Sequence, residues 1–307
     1  MKSDFTSIRI NTLRAGTLVP FDLYVLVGDH HVHYTQADDD LEENRVKNLK
    51  QHGVKKVFIK PLDEPKYLTY LEAGLDTLSN KNIQMNERAA LANDTMVTSV
   101  ENAEKNLETE SGYLGQKKQL DLISSFIGSD RNSIKEMLSS AGISLDNNQH
   151  SATVSSLCLA VATKLEKLTK EEITELGFAA LLHDIGKNRL KFDLSIPVSK
   201  LTPQQLKQYK NHPEDGVAML SGKPFISPRI LGLIASHEEY GLGRGFPEKK
   251  DISKLDISYQ ILSLVNKFDH FCQEKGLAAI SAIDPFFDQY ANDYDEELFS
   301  VLATVLT

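Results

Sequence analysis

From about residue 116 onward the chain is a succession of helix-length apolar segments, and this pattern limits the fold more than any other feature. Residues 120–126, 133–138, 154–168, 171–183, 203–220, 228–237, 257–272 and 296–306 repeat apolar side chains at the spacing of one helix face. Turn residues punctuate them at Gly142, at Gly222-Lys223-Pro224 and along Gly241 to Pro247. A helix with one apolar face is stable only when that face is covered, so this region is expected to form an all-α domain around a shared core.

The first 60 residues read differently. Residues 21–27 (FDLYVLV) are apolar and β-prone, Gly28-Asp29 supplies a turn, and His31-Val32-His33-Tyr34-Thr35 alternates as a strand does. Asp38-Asp39-Asp40 precedes a helix over 41–51, where acids suit the free amides of an N-terminus, and His52-Gly53 ends it. A strand over 54–59 and, past Pro61 and Pro65, a helix over 67–78 complete a βαβ-like module. Residues 83–110 are helix-compatible but polar, with a break at Ser111-Gly112. The expected fold class is α+β in two domains: a small N-terminal α/β module at 1–80, a helical connector at 81–115 and an all-α domain at 116–307.

Composition narrows the function. A net charge of −9 argues against a general nucleic-acid binder, so DNA is not an expected partner. The two cysteines, Cys158 and Cys272, form no CxxC and read as core filling, which argues against a disulfide framework and a thiolate zinc site. No apolar run is long enough for a membrane span, and the N-terminus lacks a signal peptide's apolar core. A cytoplasmic protein with no membrane insertion is expected.

The nine histidines fall into two groups. His30, His31, His33 and His52 lie in the N-terminal module. His31 and His33 share a strand face and could hold a metal, although exposed strand histidines without a carboxylate partner are ordinarily plain surface residues. His150, His183, His212, His237 and His270 are spread over the helical part. His183 and Asp184 close an apolar helix, GFAALLHDIGK, so both project from a buried scaffold. A His and an Asp at consecutive positions can grip one metal, and the Asp has a second oxygen with which to bridge another. Lys187 shares their helix face if the helix continues, and can reach anionic oxygens as a point charge.

The surrounding motifs complete a pattern. His150 opens HSATVSSLCLAVATKL, LTPQQ leads to HPEDG at His212, His237 begins HEEYGLGRGFP, and YQILSLVNKFDHF follows. In this order and spacing they resemble the HD-GYP family, a branch of the HD-domain metal-dependent phosphohydrolases that hydrolyses cyclic di-GMP. The family pattern is an early helix-borne His, then HDxGK, HPExG after an LTPEE-like turn, HHExxDGxGYP, and a helix close to ARIIAVADxFDAL. The resemblance covers about residues 116–271. The N-terminal module is more loosely similar to the small domain that often precedes such domains, and is expected to be regulatory.

The resemblance implies an HD-type helical domain with metal ligands at His150, His183, Asp184, His212 and His237, and Asp184 bridging two divalent ions, iron or manganese. It implies a metal-bridging hydroxide that opens cyclic di-GMP to linear dinucleotide or GMP. Asp184 and Lys187 would be catalytic, with Lys187 and Arg244 holding phosphoryl oxygens of the substrate.

Several positions depart from the pattern. Glu238 replaces the second His of HHE in a gapless alignment and is a candidate ligand. A one-residue gap would instead make Ser236 the lost histidine. The family's late Asp ligand falls on Asn266, with Asp269 one turn along as a substitute. Phe246 stands for the Tyr of GYP, and Leu242 for an Asp. These departures keep two other readings open. One is a catalytically weak module that binds cyclic di-GMP, or a protein partner through its N-terminal module or GYP-like loop. The other is an HD phosphohydrolase of another nucleotide.

Overall fold

The computed structural model describes residues 4–194, 196 and 198–307. It divides into two compact units, the first ending at Thr98 and the second spanning Ser99–Thr307.

The first unit holds β1 (Thr6–Arg9), β2 (Leu23–Val27), β3 (His30–Thr35), α1 (Glu43–Gln51), β4 (Lys56–Ile59) and α2 (Glu64–Leu75), and α3 (Met85–Glu101) begins in it. The sheet order is β1-β4-β2-β3, with every neighbouring pair antiparallel. The module is thus α/β in content without the parallel pairing of a true βαβ unit. Gly28 and Asp29 turn β2 straight back into β3, a connection too short for parallel strands. β1 had no sequence signal, because four residues, TSIR, carry no readable period. Phe21 anchors the core, with its ring edge-on to Tyr67 and Tyr70 of α2 at 5.9 and 5.6 Å. His31 stacks on Phe5 at 4.0 Å, and His33 lies 3.5 Å from Asp22. Among the described residues these histidines belong to no group of three metal donors.

The second unit continues with α4 (Ala103–Asn106), α5 (Glu110–Ser129), α6 (Asn132–Ala141), α7 (Asn147–Leu165) and α8 (Lys170–Leu182). It closes with α9 (Pro203–Tyr209), α10 (His212–Leu220), α11 (Pro228–Ser236), α12 (Ile257–Lys275), α13 (Ala279–Tyr290) and α14 (Glu296–Leu306). α7 is the central helix, buried continuously from His150 to Ala162 and packed by α5, α6, α8, α12 and α14. The segment expected as one helix over 203–220 is two, α9 and α10. Pro213 has no backbone N–H with which to bond the Tyr209 carbonyl and is best tolerated in the first turn of a helix, so the chain breaks at Lys210-Asn211 and restarts at His212. α13 was not anticipated, since Pro285 interrupts its sequence as a helix breaker. No helix among the described residues is long and apolar enough to cross a membrane.

Candidate metal centre

Every helix leaves its last carbonyls without intrahelical partners. This fold uses three of those ends in the same way. His183 follows α8, His212 follows α9 and His237 follows α11, and the Nδ1 of each lies 2.7 Å from the carbonyl three residues earlier, at Ala180, Tyr209 and Ile234. A carbonyl can only accept, so each ring donates from Nδ1 and each Nε2 is left as a bare lone pair. His150, on the first turn of α7, is fixed by a carboxylate instead: its Nδ1 lies 2.6 Å from Asp269 Oδ2, which also accepts from Gln273 Nε2 at 2.7 Å.

The four free nitrogens converge in two pairs. His150 and His183 bring their Nε2 atoms within 3.2 Å, and His212 and His237 within 2.8 Å. Asp184 lies between the pairs. Its Oδ2 is 3.5 Å from His183 and 3.7 Å from His150, and its Oδ1 is 3.3 Å from His212 and 3.7 Å from His237. Two groups of three buried donors result, sharing the one carboxylate.

Close packing brings these segments together. α8 stops at Leu182, and a 3₁₀ turn over Ile185–Arg189 replaces the continued helix that the sequence suggested. A Cβ on Gly186 would come within 2.0 Å of the His212 carbonyl oxygen, so only glycine lets the turn after Asp184 lie against the start of α10. Gly245 acts similarly in the loop after His237, where a Cβ would meet the Glu238 carbonyl at 2.3 Å. That loop is also tied from inside: buried Glu239 accepts from the backbone amides of Glu248 and Lys250 at 2.7 and 2.9 Å.

The donor set fits metal ions. Nitrogen and oxygen ligands ~2.1 Å from one ion and near right angles to each other lie about 3 Å apart, and the spacings here run from 2.8 to 3.7 Å. Lone pairs facing each other repel unless a cation lies between them. Asp184 Oδ1 is buried without a hydrogen-bond donor, because the nearest nitrogen has no proton to give. Burial pushes the His183 pKa down to about 4 and the His237 pKa well below its usual value, keeping both rings neutral as ligands must be. Burial alone would raise the Asp184 pKa, but its interactions with His183 and Lys187 outweigh it and hold the carboxyl well below the usual range.

Beside this cluster opens a cavity of about 450 Å³, walled by Lys187, Tyr209, Glu238, Phe246, Lys267 and His270. Lys187 places Nζ 2.5 Å from Asp184 Oδ2. Glu238 is buried, accepts from the Tyr209 hydroxyl at 3.2 Å and stands 3.9 Å from His212 Nε2. Burial would raise its pKa, but Lys267 and the nearby histidines reverse the effect and hold it low. Asn266 presents its amide oxygen 3.1 Å from His150 Nε2. The Phe246 ring lies 6.1 Å from that of His212. Arg244 is not brought to the cluster: it pairs with Asp293, crosses the Tyr240 ring at 5.4 Å and is absent from the cavity wall.

Asp269 approaches the far nitrogen of His150, which makes it a support for that ring, not a substitute at the inner face. His270 stacks on His150 with ring centroids 4.3 Å apart and lines the cavity. Its position four residues after Asn266 on α12, the spacing of one helix face, was the available signal. Tyr209 lies between two motifs and Lys267 falls on the unspecified position of ADxFDAL, so neither carried one.

Comparison with known proteins agrees with this geometry. The family described as HD domain matches residues 133–298. The chain is 34% identical over 98 residues to the Pseudomonas aeruginosa protein named cyclic di-GMP phosphodiesterase PA4108, a match covering 32% of this chain and 23% of that one. It is 31% identical over 104 residues to the cyclic di-GMP phosphodiesterase response regulator RpfG of Xanthomonas campestris pv. campestris, covering 33% of this chain and 27% of that one. These matches span only about a quarter of the curated relatives' length. Among solved structures, Bd1817, an HDG"Y"P protein from Bdellovibrio bacteriovorus, aligns with a TM-score of 0.79 at 25% identity over 99% of both chains.

Proposed function

The chain belongs to the HD domain family, in its HD-GYP branch, and from that premise we propose that it is a metal-dependent phosphodiesterase acting on cyclic di-GMP. The relatives named above carry that activity in their names. The observation that carries the reading is the shared carboxylate: each oxygen of Asp184 faces its own pair of unprotonated imidazole nitrogens. His150, His183 and Asp184 would hold one divalent ion, and Asp184, His212 and His237 a second. Asn266 borders the first ion's site and Glu238 the second's. Imidazole with carboxylate suits iron or manganese. When bound, such ions supply Lewis acidity and a nucleophile drawn from water at neutral pH.

The chain's own groups do the rest. Lys187 neutralises Asp184 from the cavity side and stands where a non-bridging phosphoryl oxygen would enter. Phe246 closes the wall beside His212 with an apolar ring and donates no hydrogen bond. Arg244 would reach a ligand only by leaving Asp293.

A second reading, a module that binds the dinucleotide or a protein partner and turns it over slowly, is favoured by two features of the site. An amide stands at Asn266 in place of a carboxylate, and Phe246 has no hydroxyl. The test is anaerobic purification, loading with iron or manganese, and chromatography of cyclic di-GMP beside Asp184→Ala. Linear dinucleotide or GMP, absent with the variant, is the expected result. Fully loaded protein that binds cyclic di-GMP without converting it would establish the second reading. Conversion of other nucleotides alone would move the substrate elsewhere within the phosphohydrolases.

A further inference from the structure

We propose that His270 is a ligand-contacting residue of this site, holding an oxygen of a phosphate ester through its imidazole. The proposal rests on the phosphoester reading above. Neither ring nitrogen of His270 bonds to a described residue, and Nε2 is shut away from solvent. Buried polar atoms in folded proteins are nearly always paired, so the missing partner is something the polypeptide does not supply.

The ring's surroundings indicate what that partner is. His270 lies 27° from coplanar with His150 at 4.3 Å, which fixes its plane beside the first group of donors. It shares the cavity wall with Lys187 and Lys267. A phosphate oxygen entering the cavity would find two lysines and an imidazole that can donate an N–H along its wall. The ring is carried on α12, the rigid helix that also carries Asn266 and Asp269, so its position is set together with that of His150. In the pattern ADxFDAL this position is alanine, so the chain has an imidazole where the pattern has a methyl group.

The test compares metal-loaded wild type with His270→Phe and His270→Asn. Phenylalanine keeps a flat ring against His150 and removes both nitrogens, whereas asparagine restores an amide donor. The probe is inorganic phosphate, titrated calorimetrically, with metal content per chain measured on each protein. The expected result is unchanged metal content, phosphate affinity lower by about tenfold or more in His270→Phe, and partial recovery in His270→Asn. Wild-type phosphate affinity in His270→Phe would overturn the proposal. So would a parallel loss of metal, which would make His270 a support for His150. Failure of the wild type to convert cyclic di-GMP would count against the function proposed above and leave this test standing.

Discussion

Replacing Lys187 with methionine asks what neutralises Asp184. The ammonium lies 2.5 Å from Oδ2, and the two side chains are 5% and 1% exposed. Methionine keeps the stem and removes the charge, leaving a buried carboxylate among neutral imidazoles. Removing one partner of a buried pair costs about 3–5 kcal/mol. Protonation of Asp184 caps the loss, since at pH 7 it costs about 4 kcal/mol to protonate a carboxyl whose ordinary pKa is near 3.9. In a domain of this size each kcal/mol moves the melting temperature by about 2–4 °C, so Lys187→Met without metal should melt roughly 10 °C below wild type.

Two divalent ions on Asp184 would supply the missing positive charge, and the penalty should then fall to less than half. The pH dependence has a definite sign. In wild type the depressed Asp184 pKa contributes stability that is present above the unfolded value and is lost only as pH falls below it. In the metal-free variant that pKa moves above the unfolded value. The penalty should then grow by about 1.4 kcal/mol per unit as pH rises from 4 toward 7. Thermal unfolding of both proteins, with and without manganese across that range, measures all of this. A penalty of the same size in the presence and absence of metal would refute the assignment of Asp184 to the ions.

Two further substitutions test the supports around the centre. Asp269→Ala removes the carboxylate that aims His150 and should lower metal affinity by roughly 10–100-fold in a chelator competition, whereas unchanged affinity would mean that the ring is aimed by other contacts. Glu239→Ala strands the amides of Glu248 and Lys250, at a cost of about 2 kcal/mol or more, and should speed hydrogen exchange at those two amides; exchange at the wild-type rate would remove Glu239 as the clamp of the loop.

Much of the helical architecture was legible, because apolar spacing and turn residues agree from one segment to the next. The break at Lys210-Asn211 was missed because an apolar period can run across a chain interruption without changing phase. β1 was missed because a four-residue strand gains its identity only from its pairing with β4. At the centre, ordered motifs identified the histidines and Asp184 that the fold brings together. Tyr209 and Lys267 could not be read the same way. Their importance comes from where α9 and α12 place them in three dimensions, and no spacing along the chain encodes the distance between two helices.

The three carbonyl-anchored histidines separate two properties of the centre that are usually entangled. Each ring takes its tautomer and its direction from a four-residue stretch of its own chain, so aim is a local property. The gap between opposing nitrogens is set by how the helices pack, so aperture is a global one. Small rigid-body shifts of α8, α9 or α11 can therefore widen or narrow the opening without moving a proton on any ring. A centre built this way is adjustable in aperture and constant in its proton chemistry.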